Sequence, residues 1–575
     1  MNIKLNEVPF STAGSYIALG WLEDDFHRWG NKKGLYIRTV HGKSGNTIGC
    51  SSLIARIVPE YQGKEIPCEV SATPDHMLMN TDKGFVKIVF DDEATVLMQG
   101  HGEGLSLKLD FSPFDGNRTF NMIEQWQAGE REWYMANMYR NSGRYMLHCQ
   151  KGIGTITQNW NGESTDKSEF TVDSQAGEFL LVFEEVIDSW KDSGKKYNVE
   201  QAQQKMQEAF TEFCKKMPSV PEEFAETGEY ASYVNWSSII APCGLFKRYA
   251  MYMSKNWMSS VWSWDHCFNA IAAAYGDPEM AWDQFMVMFD HQRPSGMIPD
   301  SINDVFLVDG YCKPPIHGWT YNKLKKIFTP TYEMKQEAYE KIGKWTEWWF
   351  AYRDPNGDGI CDYTHGNDSG WDNSTAFIEE PPMALPDLSA FLILQMEELS
   401  ALAEELGKAE ESKLWKERAD ILCQKILNIL FRDGEPQAVH TFTGEAVETK
   451  SLILCLPIVL GKRLPDEVRE KIMQRLRLCQ TEWGYATEQP DSQLYISDGY
   501  WRGPIWAPST MLIVDGLESC GEHELAVEIS RKFCEMVDRS GCAENFDALT
   551  GEGLRDRAYT WTASVMLILA HEYLM

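Results

Sequence analysis

The sequence predicts a multidomain β plus α chain: an N-terminal antiparallel β-sandwich, then a larger helical half whose helix pairs are arranged around a ring. Three observations predict it. Short β-prone runs bounded by turn residues fill the chain up to about Phe183, the hydrophobic period changes past about Tyr197, and the helical remainder is interrupted by long loops rich in Gly, Pro, Asp and Trp.

Taken in order, residues 1–196 form the sandwich domain, with strands expected at 34–40, 84–90 and 177–183, each a β-branched and aromatic run opened by glycine. Residues 197–220 read as a helical linker containing a helix over 199–216. Residues 221–575 form the helical domain. Within it, 387–431 carries two long amphipathic stretches broken near Gly407. The loops at 292–299, 313–319, 354–373 and 487–508 are long for a compact domain, and such loops usually carry function.

Composition narrows the class. The chain has 575 residues and a net charge of −31 at pH 7, a surface that repels phosphate backbones, so neither nucleic acid nor an anionic membrane is an expected partner. Hydrophobic residues make up 43% and charged residues 24%, the balance of a globular protein. No basic N-terminal region leads into an apolar stretch, and no window approaches the roughly 18 uninterrupted apolar residues of a membrane helix. A cytoplasmic location is expected. The 14 cysteines include no C-x-x-C pair and read as reduced, mostly buried thiols. N-x-S/T matches at Asn117, Asn235, Asn367 and Asn373 are discounted for want of a secretory signal.

Aromatic residues reach 12%, and the tryptophans crowd the helical half beside carboxylates and amides. An aromatic face gives the C–H surface of a sugar an apolar support while neighbouring polar groups take its hydroxyls. Trp345, Trp348 and Trp349, at helical spacing, are assigned to core packing, whereas Trp262, Trp264, Trp371, Trp501 and Trp506 lie in loops near charged residues and are candidates for sugar contact. Four segments stand out. In 261–268 Asp265 sits between aromatics ahead of an apolar helix and reads as a cap or a ligand. In 365–374 Asp368 and Asp372 share a glycine-flanked loop whose crowding favours a protonated carboxyl. In 498–506 Arg502 follows Tyr500 and Trp501, placed to hold a hydroxyl or carboxylate, and in 543–553 Glu544 precedes a turn.

Together these segments resemble the inverting glycosidase family that holds processing α-glucosidase I, bacterial α-glucosidases, and the mannosylglycerate and glucosylglycerate hydrolases. The matching phrases are Trp264-Asp265, S-G-W-D-N-S over 369–374, G-Y-W-R-G-P-I-W over 499–506, and E-N-F from Glu544. The resemblance implies an (α/α)6 barrel for 221–575. It also implies roles: Asp372 as the general acid that protonates the glycosidic oxygen, Glu544 as the general base that activates water on the opposite face, and inversion at the anomeric carbon. By the same resemblance Trp264, Asp265, Trp501 and Arg502 line the sugar subsite, beside Trp262, Trp371 and Tyr500. The phrase departs from D-N-S-P-R of many bacterial relatives, since Thr375-Ala376-Phe377 follows Ser374. A small neutral α-glucoside or oligosaccharide is the expected substrate. The alternatives are a trehalase-like enzyme, a glycerate-conjugate hydrolase, or a carbohydrate-binding protein without turnover.

One motif lies outside this chemistry. Asp354, Asn356 and Asp358 alternate ahead of Gly359, with the Ile360 carbonyl next, as in the opening of a calcium loop, although His365 stands where a bidentate Glu belongs. Both a structural calcium ion and a metal-free Asp-Asn-Gly turn fit. The two-carboxylate reaction itself requires no cofactor.

Overall fold

The computed structural model describes residues 1–42, 52–114 and 116–575. They divide into two compact units: Met1–Cys214 with Trp236–Ser260 and Asn303–Val305, and Lys215–Asn235 with Val261–Ile302 and Phe306–Met575.

The first unit is built on two antiparallel sheets. One runs in the order Ile17–Leu22, Gly34–Thr39, Leu53–Tyr61, Leu105–Asp110, Ser168–Asp173, Ile153–Gln158, with Lys64–Glu65 paired to the third of these strands. The other runs Met122–Ala128, Arg131–Met138, Gly143–Lys151, Glu178–Glu185, Thr95–His101, Gly84–Phe90, His76–Thr81, Glu69–Thr73. The expected strands near 34–40, 84–90 and 177–183 are all present. The apolar run of Glu178–Glu185 is explained by its central place, between Gly143–Lys151 and Thr95–His101, where both of its faces are covered.

Helix α1 (Val199–Lys216) buries Val199, Ala202, Met206 and Phe210, a single stripe at helical spacing. Its first two members, Val199 and Ala202, join Val89, Leu97, Trp133, Met146 and Val182 in one core, so the start of α1 covers a sheet and is not a free linker over 197–220. The boundary expected at 221 also moves, because Trp236–Ser260 and Asn303–Val305 belong with the sheets. The reason is specific bonding: Gly14 bridges to Ile240, and Asp304 accepts hydrogen bonds from His41 Nδ1 at 2.7 Å, the Gly42 amide at 2.9 Å and the Tyr252 hydroxyl at 3.0 Å. Asp304 and Glu185 hold the His41 imidazole up to about 9 against the opposing effect of burial.

The second unit is helical: α2 (Ala225–Ser238, shared with the first unit at its end), α3 (Asp265–Ala274), α4 (Pro278–Met286), α5 (His317–Ile327), α6 (Tyr332–Tyr352), α7 (Pro386–Glu405), α8 (Ala409–Ile429), α9 (Asp466–Cys479), α10 (Ala507–Cys520), α11 (His523–Ser540) and α12 (Thr560–Leu574). A 3₁₀ segment, Leu452–Arg463, replaces an α-helix where Pro457 interrupts the amide ladder. Local signals set the ends. Asp277 accepts the Met280 amide ahead of Pro278, Thr331 accepts that of Met334, and Gly521 at φ +89° stops α10.

Six of these segments form a closed cycle: α3 packs on α5, α5 on α7, α7 on the 3₁₀ segment, that segment on α10, α10 on α12, and α12 on α3. Sequence explains which segments are inside. Every residue of α3 is buried, and α10 and α12 are apolar nearly all round, whereas α8, α9 and α11 bury one stripe each and expose charged faces. The break at Gly407 separates α7 from α8 as expected. Trp345, Trp348 and Trp349 are buried in α6, with Trp345 and Trp348 stacked at 5.0 Å, which is the core role assigned to them. No helix among the described residues is long and apolar enough to cross a membrane, and no disulfide forms among them.

Candidate active site

The loops that lead into α3, α5, α7, α10 and α12 supply the candidate residues, so consecutive members of the inner cycle each present one stretch of irregular chain. The loop before α7 is folded by its own side chains. Asp368 accepts from the Cys312 amide at 3.1 Å, the Thr364 amide at 3.1 Å and the Thr364 hydroxyl at 2.8 Å, with the Arg353 guanidinium 3.6 Å away. Asp368 is therefore an anchor of the loop, its carboxylate taken up by these donors. Gly370, at φ +74°, lies so close to Trp264 that a Cβ there would come within 2.6 Å of the indole. That close approach brings the Asp372 loop onto the start of α3.

Asp372 is partly exposed, and Lys313 stands beside it. The Lys313 ammonium is buried and bonds the Asn367 carbonyl at 2.9 Å, Asp300 at 3.2 Å and Asp372 at 3.4 Å. Burial lowers its pKa, but Asp372, Asp300 and Asp265 raise it by more, and the cation is paired directly with Asp300 and Asp372.

Asn373 ties this loop to the next. Its Oδ1 accepts the Trp501 amide at 2.9 Å, its Nδ2 donates to the Gly499 carbonyl at 3.0 Å, and its carbonyl accepts Arg502 Nε at 2.7 Å. Tyr500 adopts φ +65°, uncommon for a side-chain-bearing residue, and its carbonyl accepts Trp506 Nε1 at 2.9 Å. The turn stacks Trp501 on Trp506 at 4.0 Å and sets Trp501 4.6 Å from Trp371 and 6.1 Å from Trp264. Trp561 closes the wall, 5.5 Å from Trp506 and 5.9 Å from Trp264.

Glu544 follows by a second tie. Ile505 and Phe546 exchange backbone hydrogen bonds of 2.7 and 2.9 Å, and the Glu544 amide donates to the Asp556 carbonyl at 2.7 Å. Burial raises the Glu544 carboxyl to about 8; Asp556 and Asp265 add to this, while Arg555 and the Asp556 contact oppose it. Burial likewise raises Asp265 to about 8, with Lys313 opposing and Asp300 and Asp372 adding. The buried Tyr500 hydroxyl is raised by burial and then by Glu544, Asp372 and Asp265, so all three carboxylates act on one phenol. Two cavities, of about 560 Å³ near Glu448 and Arg475 and about 290 Å³ near His41 and Glu185, are lined by other residues; chemistry, not volume, marks this site.

A buried aromatic wall beside carboxylates whose charge is costly is the arrangement of a carbohydrate-cleaving site. The family model for the mannosylglycerate hydrolase MGH1-like glycoside hydrolase domain matches residues 258–562. The chain belongs to the MGH1-like glycoside hydrolase family. Mannosylglycerate hydrolase MGH1 of Selaginella moellendorffii is 21% identical over 387 residues, covering 53% of this chain and 79% of that protein. The crystal structure of a mannosylglycerate hydrolase from Thermus thermophilus in complex with glucose aligns with a TM-score of 0.52 at 21% identity, over 59% of this chain and 99% of the other. A bacterial glucoamylase complexed with acarbose shares the fold over 99% of this chain and 95% of its own, with a TM-score of 0.61 at 12% identity.

In this MGH1-like hydrolase the structure gathers Trp264, Asp265, Trp371, Tyr500, Trp501, Asp372 and Glu544 around one set of carboxylates. Arg502 is held at its edge through Asn373. Asp265 is the first residue of α3, and Trp264 takes the capping position without a side-chain cap, so the capping reading of Asp265 gives way to a buried carboxyl facing Lys313. Trp262 stands apart from the tryptophan wall: its ring meets no other aromatic ring among the described residues, and its carbonyl accepts from His266 Nδ1 at 3.0 Å. In the loop of Asp354, Asn356 and Asp358, Asp354 accepts the Gly359 amide at 2.9 Å and Asp358 the Ile360 amide at 2.8 Å; one oxygen each of Asp354 and Asp362 is buried without a partner. Sequence reasoning missed Lys313, Asp300, Arg555 and Trp561. The lysine opens the Lys-Pro-Pro loop already marked as long, which was the one available signal.

Proposed function

We propose that this glycoside hydrolase is an inverting, exo-acting α-glycosidase that releases a terminal glucose from a small α-glucoside or oligosaccharide. Asp372 protonates the leaving oxygen, and Glu544 removes a proton from the water that attacks the opposite face of the sugar. The observation that supports this best is the pair of ties, Asn373 to Trp501 and Ile505 to Phe546, that bring the Asp372 and Glu544 segments to one tryptophan wall. Asp265, near neutral pH, can donate a hydrogen bond to a sugar hydroxyl while Lys313 balances the surrounding acids. The six-membered cycle of helical segments supports reading the second unit as an (α/α)6 barrel, and the paired sheets support a sandwich for the first.

A second reading, hydrolysis of a glycerate conjugate, is favoured by two guanidinium groups. Arg502 borders the site, and Arg555, paired with Asp498 at 2.7 Å, lies 5.0 Å over the Tyr500 ring. Either can receive a carboxylate. Incubation with nigerose, kojibiose, maltose, isomaltose, trehalose, glucosylglycerate and mannosylglycerate, with the first-released anomer followed by NMR, separates the readings. First release of β-glucose from a disaccharide supports the proposal. Turnover of glycerate conjugates alone replaces it with the second reading, and first release of the α-anomer overturns inversion.

We also propose that the loop of Asp354, Asn356, Asp358 and the Ile360 carbonyl takes a structural calcium ion, supported by the unpartnered oxygens of Asp354 and Asp362. Burial holds Asp362 up to about 7, with Asp358 and Asp354 raising it further, a concentration of acid that a cation would relieve.

A further inference from the structure

Behind the sugar site lies a second group of ligand-type side chains that the hydrolytic reaction does not use. His266 and Cys267 are in the first turn of α3, and His317 is the first residue of α5. All three are completely buried, and one donor atom from each lies within 4.8 Å of the others. Among the described residues no other three or more His, Cys, Asp or Glu side chains converge so closely.

The hydrogen bonding of the two imidazoles is unequal. His266 Nδ1 donates to the Trp262 carbonyl, and its Nε2 lies 3.8 Å from Cys267 Sγ, with the Phe285 carbonyl as a further neighbour of the ring. A ring nitrogen fixed by a backbone carbonyl, with the other turned to a cluster, is how metal-binding imidazoles are commonly oriented. His317 has no hydrogen-bond partner at either nitrogen. Its surroundings are apolar, with Phe289 at 5.0 Å and Phe285 at 6.4 Å. A buried polar group left unpaired costs on the order of 1–3 kcal/mol, which makes a histidine a poor choice for plain packing here.

We propose that His266, Cys267 and His317 bind one thiophilic transition-metal ion, and that the donor set fits monovalent copper. Two neutral imidazoles and one thiolate with a monovalent ion form a complex of zero net charge, which suits a fully buried site. A thiolate–imidazole set is soft enough for copper(I), and three donors suffice for that ion, whereas structural zinc takes four. On binding, the Cys267 proton leaves to solvent and the sulfur–metal bond takes its place; no oxidation state changes. The ion would join α3 to α5 directly behind Asp265, and four residues from Lys313.

The test uses the full chain, purified metal-free and reduced, and loaded with copper(I) in an anaerobic competition against a chromophoric copper(I) chelator. The proposal expects the wild type to retain one more equivalent than either Cys267→Ser or His317→Phe. X-ray absorption of the wild-type complex should give one sulfur and two nitrogen ligands. Its melting temperature should rise on loading, while the melting temperatures of both variants stay fixed. Cys267→Ser is nearly isosteric and His317→Phe suits the apolar wall, so far-UV circular dichroism can establish that each is folded before the comparison. Equal copper retention by the wild type and both folded variants overturns the proposal, as does retention of zinc in preference to copper.

Discussion

Asn373 accepts the amide hydrogen of Trp501 at 2.9 Å, and with its bonds to Gly499 and Arg502 it couples the loop of the acid candidate to the turn that stacks the tryptophan wall. Trp501 in turn stacks on Trp506, and the Ile505 bridge to Phe546 carries the connection to within two residues of Glu544. Two carboxylates far apart in sequence are thus joined through backbone bonds that do not depend on either carboxylate.

Asn373→Ala should therefore lower kcat/KM by roughly 10- to 100-fold, because a small displacement of positioned groups is enough to do so. Stability should fall by no more than about 1 kcal/mol, because the two side-chain hydrogen bonds that are lost lie at an exposed residue. Steady-state kinetics and urea unfolding on the same preparation check both; a stability loss with unchanged kinetics would separate the loop from the reaction.

Asp372→Asn and Glu544→Gln should each reduce kcat by roughly 10²- to 10⁴-fold, the usual range for a lost acid or base. Their substrate dependence should differ. A glucoside whose leaving group needs no protonation should recover much of the Asp372→Asn loss and little of the Glu544→Gln loss, and a comparison of aryl and alkyl glucosides measures it.

The pH profile should carry the mark of the raised carboxyls. Glu544 must be ionised to accept a proton, so the rising limb of kcat/KM should be governed by a group near 8. Because Asp265 raises Glu544, Asp265→Asn should move this limb to lower pH. Folding should show the opposite trend. Both carboxyls have folded pKa values of about 8 against ordinary values of 3.8 and 4.5, so the folded state binds more protons between these limits. Their stabilisation is fully present below about 4 and is lost as pH rises through 8. Urea midpoints measured from pH 5 to 8.5 should decline in the wild type and flatten in the Asp265→Asn, Glu544→Gln double variant.

Lys313→Met removes a buried cation from among three acids. The expected destabilisation is about 3–5 kcal/mol at pH 8, shrinking at pH 5 as Asp265 takes up a proton. Thermal unfolding at the two pH values gives the contrast.

Calcium should raise the melting temperature of the wild type by a few degrees relative to the chelated protein, through binding to the folded state alone. Asp354→Asn with Asp358→Asn should abolish the increment. Equal melting with calcium and with chelator would leave the loop as an Asx turn held by Gly359 and Ile360.

Much of this was legible in the sequence because the signals were local. The alternating runs near 84–90 and the stripe of Val199, Ala202, Met206 and Phe210 report burial directly, since strand and helix periods differ. The site segments were legible for a related reason: Asp372 and Asn373, or Tyr500 to Trp506, do their positioning within a few residues of one another. Lys313 was not. A buried lysine has no periodic signature, and its place depends on Asp300 and Asp372 arriving from distant loops. The division at 221 failed for the same reason, because the attachment of Asp304 to His41 spans 263 positions and leaves no trace in composition. Asp265 was readable either as a cap or as a ligand, because an acid before an apolar helix can serve as both, and only burial distinguishes the two roles.

The chain passes between the two units five times, after Cys214, Asn235, Ser260, Ile302 and Val305. No single cut releases either as an intact module. A fragment ending near residue 196 forfeits α1 and one of the two carboxylates that hold His41, so its sheets begin life with a core uncovered and an imidazole deprived of its nearer counterpart. Transplanting either half onto another scaffold requires carrying the interleaved pieces along, and recombination during divergence would meet the same obstacle.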